Sequence, residues 1–394
     1  MNVAERVMKG VTYYNSLKAD NGYTLFSPIG TKDAWLIDME GHIVNRWPTE
    51  HTPEEHSVLL PNGNLLRSYV IKGADESGPP AMASIGDELV ELDWDSNVVW
   101  RAETPCLTHN FYPMENGHVL YCVTHPEGIM PDELATRWKG GLPGTEHHGK
   151  IFADGIHEID RDKKIVWRWI SYEHLDPEID AFCPLEERSH FHSNAVWKCH
   201  DGSVLFSCRS LNEVLRIEYP GGKVLARYGR GQIFHQHDCR ELDNGNILVF
   251  DNGAHRPGNQ PSYSRVVEID PNTDKIVWEY KEDPPYNFYS SHCSSNERLP
   301  NGNTVICDAM HGRIFEVTYE GEIVWEYVSP FVGTKLHSLS MHMYVETFIV
   351  HRAYRYPRDY PGFKGKDLDP GRFPLENKLF GPDAFKKDFS PLIF

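Results

Sequence analysis

No stretch of this 394-residue chain approaches the about 18 consecutive apolar residues that a membrane-crossing helix requires. Residues 1–18 also lack the short apolar core of an export signal, so the sequence predicts no signal peptide and a cytoplasmic location. Basic residues are scarce: 39 Lys and Arg stand against 57 Asp and Glu, leaving a net charge of −18. Nucleic acid and anionic membrane surfaces both select a basic face, so neither is an expected partner. The eight cysteines contain no Cys-x-x-Cys pair and are expected as free thiols rather than disulfides. Helical periods are few. What the chain has in quantity is histidine (21) and aromatic side chains (12%), enough to direct attention to a histidine-lined site.

The chain is a repeat. An apolar strand ending in an acid, a tight polar turn and a strand ending in an aromatic recur at 34–47, 89–100, 156–167, 214–228, 266–278 and 314–325. Each copy reads as a β-hairpin. Between them lies a second hairpin with an Asn-Gly-type turn, at 58–67, 111–122, 195–207, 239–251 and 296–307, with a degenerate sixth copy at 339–350. Two alternating hairpins make a four-stranded antiparallel sheet. Six such sheets predict an all-β fold, a six-bladed β-propeller over residues 1–356 whose N-terminal strands close the last blade. Insertions at 124–155, with a short helix near 131–138, and at 171–189 are long enough to be lid-like. Residues 357–394 carry no repeat and are expected to form an irregular extension over the surface.

The histidines fall in register with the repeat. The innermost strand of each blade begins near the propeller axis, and a histidine precedes it. His109 and His237 lie 8 residues before their turn glycines, and His192 and His292 lie 10 before theirs. These spacings share strand parity, so the four side chains point one way. His56 lies 7 residues before Gly63 and needs a bulge to join them. His190 and His235 sit two positions upstream of ring members, His147 and His148 lie in the first insertion, and His337 or His342 is the expected sixth spoke. A ring of imidazoles can hold a metal or supply a nucleophile and proton carriers. Cys239 and Cys293, each next to a ring histidine, are expected to point away into the interblade core.

The segment 192–219 (HSNAVWKCHDGSVLFSCRSLNEVLRIEY), with 236–256 (QHDCRELDNGNILVFDNGAHR), 298–304 (RLPNGNT) and 315–327 (FEVTYEGEIVWEY), resembles the bacterial arylsulfate sulfotransferases. That resemblance implies a six-bladed propeller. It also implies transfer of a sulfuryl group from an aryl sulfate to a phenol through a sulfohistidine, with no required cofactor. Residue by residue it implies His192 with Asn194, His237 of the Gln-His-Asp motif, Arg256 closing Asp-Asn-Gly-x-x-Arg, and His292 as the nucleophile. Arg209 and Arg265 are expected to pair with strand-end acids. His109, Asn194 and Tyr354 are expected to touch substrate, and Trp138, Tyr172 and Tyr356 are further aromatic candidates. The competing reading is a metalloenzyme (lyase, hydratase, hydrolase or oxygenase) with divalent Fe, Mn or Zn on His56, His109, His192, His237 and His292. A non-catalytic scaffold is a third. The first two imply a small, aromatic substrate, and a homo-oligomer is compatible with all three.

Overall fold

In a computed structural model the described residues are 8–49, 52–70, 85–259, 261–333 and 348–385. The two hairpin types form because each carries its own turn cap. In the first, the acid that ends the strand accepts backbone N–H bonds across the turn: Asp38 from Glu40 and His42, Asp93 from Asp95 and Asn97. In the second, Asn62, Asn116, Asn244 and Asn301 each accept from the N–H two residues on, while Gly63, Gly117, Gly245 and Gly302 take φ of 83–88°. Few residues but glycine tolerate that backbone.

Three sheets have four strands. One is Ser193–Lys198, Val204–Cys208, Glu213–Ile217 and Val224–Tyr228; the next is His237–Glu241, Ile247–Asp251, Arg265–Asp270 and Lys275–Tyr280. The third joins the chain ends: Val350–Pro357 pairs antiparallel with Gly22–Pro28, followed by Ala34–Ile37 and Ile43–Trp47. A fourth sheet, Ser295–Arg298 through Ile323–Val328, gains Gly10–Tyr14 as a fifth, outer strand.

The expectation of six separate blades is corrected here. Besides these four blades there is one continuous seven-stranded sheet. The cause is the 16-residue strand Val98–Pro113, which pairs with Ile85–Leu92 through its first half and with Val119–Ile129 through its second. No turn separates the two meanders. Cys106 and His109, at φ of 64° and 54°, bend the strand instead.

The aromatic that ends the first hairpin explains why the unit repeats. Its indole N–H donates to a backbone carbonyl in the next such hairpin. Trp47 reaches Asp93 (3.0 Å), Trp100 reaches Arg161 (3.1 Å), Trp167 reaches Pro220 (2.9 Å) and Trp278 reaches Tyr319 (2.7 Å). Trp325 reaches Met39 (2.8 Å), so the last unit is tied to the first.

The insertions brace each other. Gly140–Leu142 pairs in parallel with Phe182–Glu187, and Arg188 donates to the carbonyls of Gly140 and Ala135 at 2.8 and 2.9 Å. The expected short helix is Asp132–Arg137. Trp138 is buried against Phe191 and donates to Asp180, so it is a packing residue rather than a substrate contact. In the extension, Phe363 packs against Tyr23 and Phe380 against Phe331, which docks the segment on the sheets. The degenerate copy at 339–350 and both His337 and His342 lie outside the described residues apart from its last three positions. All eight cysteines are free thiols, and Cys239 is buried between sheets.

Candidate functional site

Three axial strands open with a backbone kink that aims side chains inward. His109 (φ 54°), His192 (φ 55°) and Asp238 (φ 48°) are left-handed, and strand register shifts beside all three. The next layer along the axis is polar and holds neighbouring strands together. Asn110 accepts from the Val196 N–H (2.9 Å), Asn194 donates to Gln236 O (2.8 Å), and Asp238 accepts from the Asn296 N–H (2.8 Å). Arg352 donates to Asp238 and to Asn194 O. Asn194 is therefore a strand-to-strand tie through its Nδ2, while its Oδ1 has no hydrogen-bond partner among the described residues.

Above this layer the imidazoles converge. The His109 ring lies 5.2 Å from His192, 6.1 Å from His237 and 6.0 Å from His351, centroid to centroid, and His190 stacks on His192 at 4.7 Å. His351, at the start of Val350–Pro357, supplies the spoke expected from His337 or His342. The signal was present as a histidine opening a β-rich run (VHRAYRYP). His237 Nδ1 is 2.7 Å from Asn252 Oδ1, and Asn252 is itself fixed by the carbonyls of Ser290 and Cys293. His292 stands solvent-exposed at the mouth, with Nδ1 2.7 Å from Ser291 Oγ.

Of the two arginines, Arg209 is the one beside His192, while Arg256 keeps Nε and Nη1 without hydrogen-bond partners among the described residues. Arg256 lies 2.8 Å from Asp251 and over the Tyr263 ring, an ion pair in its own loop. Arg209 is the one among the histidines: Nη1 is 3.3 Å from His192 Nδ1 and 3.0 Å from Glu186 Oε2. It does pair with an acid, as expected, but that acid comes from the second insertion and delivers it to the axis. Its Nε has no hydrogen-bond partner among the described residues.

The electrostatics follow from burial. Desolvation, followed by the nearby Arg352 or Arg209 charge or by a neighbouring imidazole, pushes His109, His192, His237 and His351 well below the usual imidazole range. Burial, then Arg209, brings His190 to about 3, and the same causes bring His292 to about 4. At neutral pH the cluster is a set of uncharged imidazoles near two arginines, Arg209 and Arg352.

His56 and Tyr354 are not brought to this cluster. The Tyr354 hydroxyl is 3.1 Å from His56 Nδ1, and both line a second cavity of about 310 Å³ with Phe111, Trp197, Arg240 and Glu297. These residues lie further along the axial strands: Phe111 after His109, Arg240 after His237, Tyr354 after His351. The five histidines of the metal reading are therefore not one set. Among the described residues, the side chains whose ligand atoms all lie within 4.8 Å of one another are Cys183, His235 and His255. Sequence spacing missed Cys183 and His255 because one sits in an insertion and the other in a turn.

No curated protein matches the chain in sequence. Solved structures match at fold level: a protein of unknown function from Bacteroides caccae has 14% identity and a TM-score of 0.51, covering 85% of this chain and 98% of its own. Selenomethionine-substituted virginiamycin B lyase from Staphylococcus aureus has 11% identity and a TM-score of 0.43, covering 84% and 87%. The Kuenenia stuttgartiensis hydrazine synthase has 12% identity and a TM-score of 0.42, covering 78% and 79%. The sequence profile described as Arylsulfotransferase (ASST) matches residues 87–330, well over half of the length and including the axial strands that carry His109, His192 and His237. On that match the chain belongs to the arylsulfotransferase (ASST) family.

Proposed function

We propose that the protein transfers a sulfuryl group from an aryl sulfate to a phenolic acceptor, with His292 as the nucleophile at the mouth of the axial cluster. The observation that carries this reading is an exposed, neutral imidazole next to a buried set of N–H donors and Arg209. With Nδ1–H donating to Ser291 Oγ, the Nε2 lone pair of His292 is free. Nε2 attacks sulfur while the bond from sulfur to the aryl oxygen breaks, and the electron pair leaves with the phenolate. The acceptor phenol then attacks sulfur and releases Nε2. Its proton passes by way of a cluster imidazole to the departed phenolate. Because the cluster histidines are neutral, they serve as hydrogen-bond donors to the sulfuryl oxygens, and Arg209 supplies the charge. We read the seven-stranded sheet as two blades fused through Val98–Pro113, which places the family profile over most of a six-unit ring.

The test is mass spectrometry of protein quenched after exposure to 4-nitrophenyl sulfate without acceptor. The expected result is a gain of one sulfuryl group on the peptide containing His292. An unmodified His292 peptide together with modification elsewhere in the cluster would reassign the nucleophile, and no modification at all would overturn the reading. The choice between arginines has its own outcome. Arg209→Gln is expected to lower kcat/KM by roughly 10²–10³, as for loss of one charged donor to a developing oxyanion. Arg256→Gln is expected to stay within about 3-fold, since its partners are Asp251 and Tyr263. Steady-state kinetics on the two variants decides it.

A further inference from the structure

Cys183, His235 and His255 occupy the mouth beside His292 but take no part in the transfer described above. Cys183 comes from the second insertion, His235 precedes an axial strand and His255 lies in the following turn. The chain therefore brings them together only after folding. Their spacing has the dimensions of a coordination sphere. His235 Nε2 is 3.2 Å from His255 Nδ1, and His255 Nδ1 is 3.7 Å from Cys183 Sγ. Around a tetrahedral zinc ion, with metal–nitrogen bonds of about 2.05 Å and metal–sulfur bonds of about 2.3 Å, the N–N edge is about 3.3 Å and the N–S edge about 3.6 Å.

A second, independent feature is the group behind His235. Its Nδ1 is 3.0 Å from Glu186 Oε2. The contact is too bent for a hydrogen bond, but a carboxylate on the Nδ1 side of the ring favours the tautomer that leaves the Nε2 lone pair toward His255, the arrangement by which a metal-binding imidazole is oriented. Arg209 Nη1 lies 3.0 Å from the same carboxylate oxygen, an ion pair that holds it in place. His235 and Cys183 are buried, whereas His255 is exposed, so three ligands come from protein and the fourth direction opens to solvent.

We propose that Cys183, His235 and His255 form a three-ligand site for a divalent cation of the zinc class, with its fourth position open at the axial mouth. Binding converts the Cys183 thiol to a thiolate, and the proton leaves to solvent. Sulfur plus two imidazoles favours zinc or cobalt over magnesium or calcium, which take oxygen ligands. This site is distinct from the histidine set of the sequence-based metal reading and does not depend on sulfuryl transfer.

The full-length protein, prepared without an affinity tag, is stripped with chelator, loaded with Zn²⁺ and measured by elemental analysis and by competition with a chromophoric chelator. Co²⁺ loading supplies the spectrum. The expected result is about one tightly held zinc and a thiolate-to-cobalt charge-transfer band. In C183S and in H255A, whose side chain is exposed and whose fold is checked by circular dichroism, affinity falls at least roughly 100-fold and the band disappears. Failure of the wild type to retain zinc, equal retention by either variant, or a cobalt complex without the thiolate band would each overturn the assignment. His292→Ala retains the metal under this proposal, so loss of transfer activity and loss of metal are separate readouts.

Discussion

His292→Ala is expected to lower sulfuryl transfer by at least about 10³-fold, as removal of a covalent nucleophile does, while leaving the melting temperature in place. The two halves of that expectation have separate causes. The side chain is exposed and its polar contact is the neighbouring Ser291, so truncation opens no cavity in the core. Chemistry, by contrast, has no substitute at that position: His237 is buried behind it, and His192 is held against His109 at the axis. The pH profile gives a further check. Burial and Arg209 hold the His292 imidazole at about 4, and only the neutral form carries a lone pair. The wild-type rate should therefore be flat from neutral pH to about 5 and fall below about 4. A limb centred near 6.5, the ordinary imidazole value, would show that another histidine controls the reaction. Wild-type activity in His292→Ala would remove it from the mechanism altogether.

The second large effect is on stability in mild acid. His109, His190, His237 and His351 are neutral and buried in the folded protein, with His190 at about 3. In the unfolded chain they titrate near 6.5. Between those values the unfolded state binds more protons, so stability falls as pH drops through 6.5. At pH 5 each imidazole that stays neutral costs about 2 kcal/mol. Asp154 works in the opposite direction. Full burial raises it to about 7, against hydrogen bonds from the Ser193 N–H and Thr124. A carboxyl that is protonated more readily when folded adds about 3 kcal/mol by pH 5. Several buried imidazoles outweigh the one carboxyl, so the net change is a loss of stability and the melting temperature is lower at pH 5 than at pH 7.5. Differential scanning calorimetry at the two pH values measures it. A melting temperature unchanged or higher at pH 5 would mean that the cluster is not held neutral.

Most of the fold was legible because each hairpin carries its own punctuation. The acid or asparagine that caps each turn, the glycine after it and the terminal tryptophan are local features, and each falls within a dozen residues. The fusion of two meanders was not legible, because residues 98–113 contain the same hairpin signals as the others. What differs is the absence of a turn at 104–109, which no turn residue had to announce. In the site, strand parity put His109, His192 and His237 on one side of their strands, where the rings meet, but could not give depth along the axis. His56 is off that parity by one and, with Tyr354, lines the lower cavity. Arg209 and Arg256 looked alike in sequence, each one step beyond a polar turn or strand end. Only the position of Glu186, from a distant insertion, separates them. Cys183 and His255 carry no periodic signal because neither belongs to the repeat.

The sheet that joins the two chain ends sets a timetable for synthesis. Thr24 and Arg355, bonded across it, are 331 residues apart. At about 5–20 residues per second, the ribosome finishes that span in roughly 15–70 s. Throughout that interval Gly22–Pro28 has an open edge where Val350–Pro357 will sit, and for most of it the Trp325 bond to Met39 cannot form. An unpaired edge is a template for other strands. The ring is therefore the last thing made, and its N-terminal strands are the part of the nascent protein in most need of protection from aggregation.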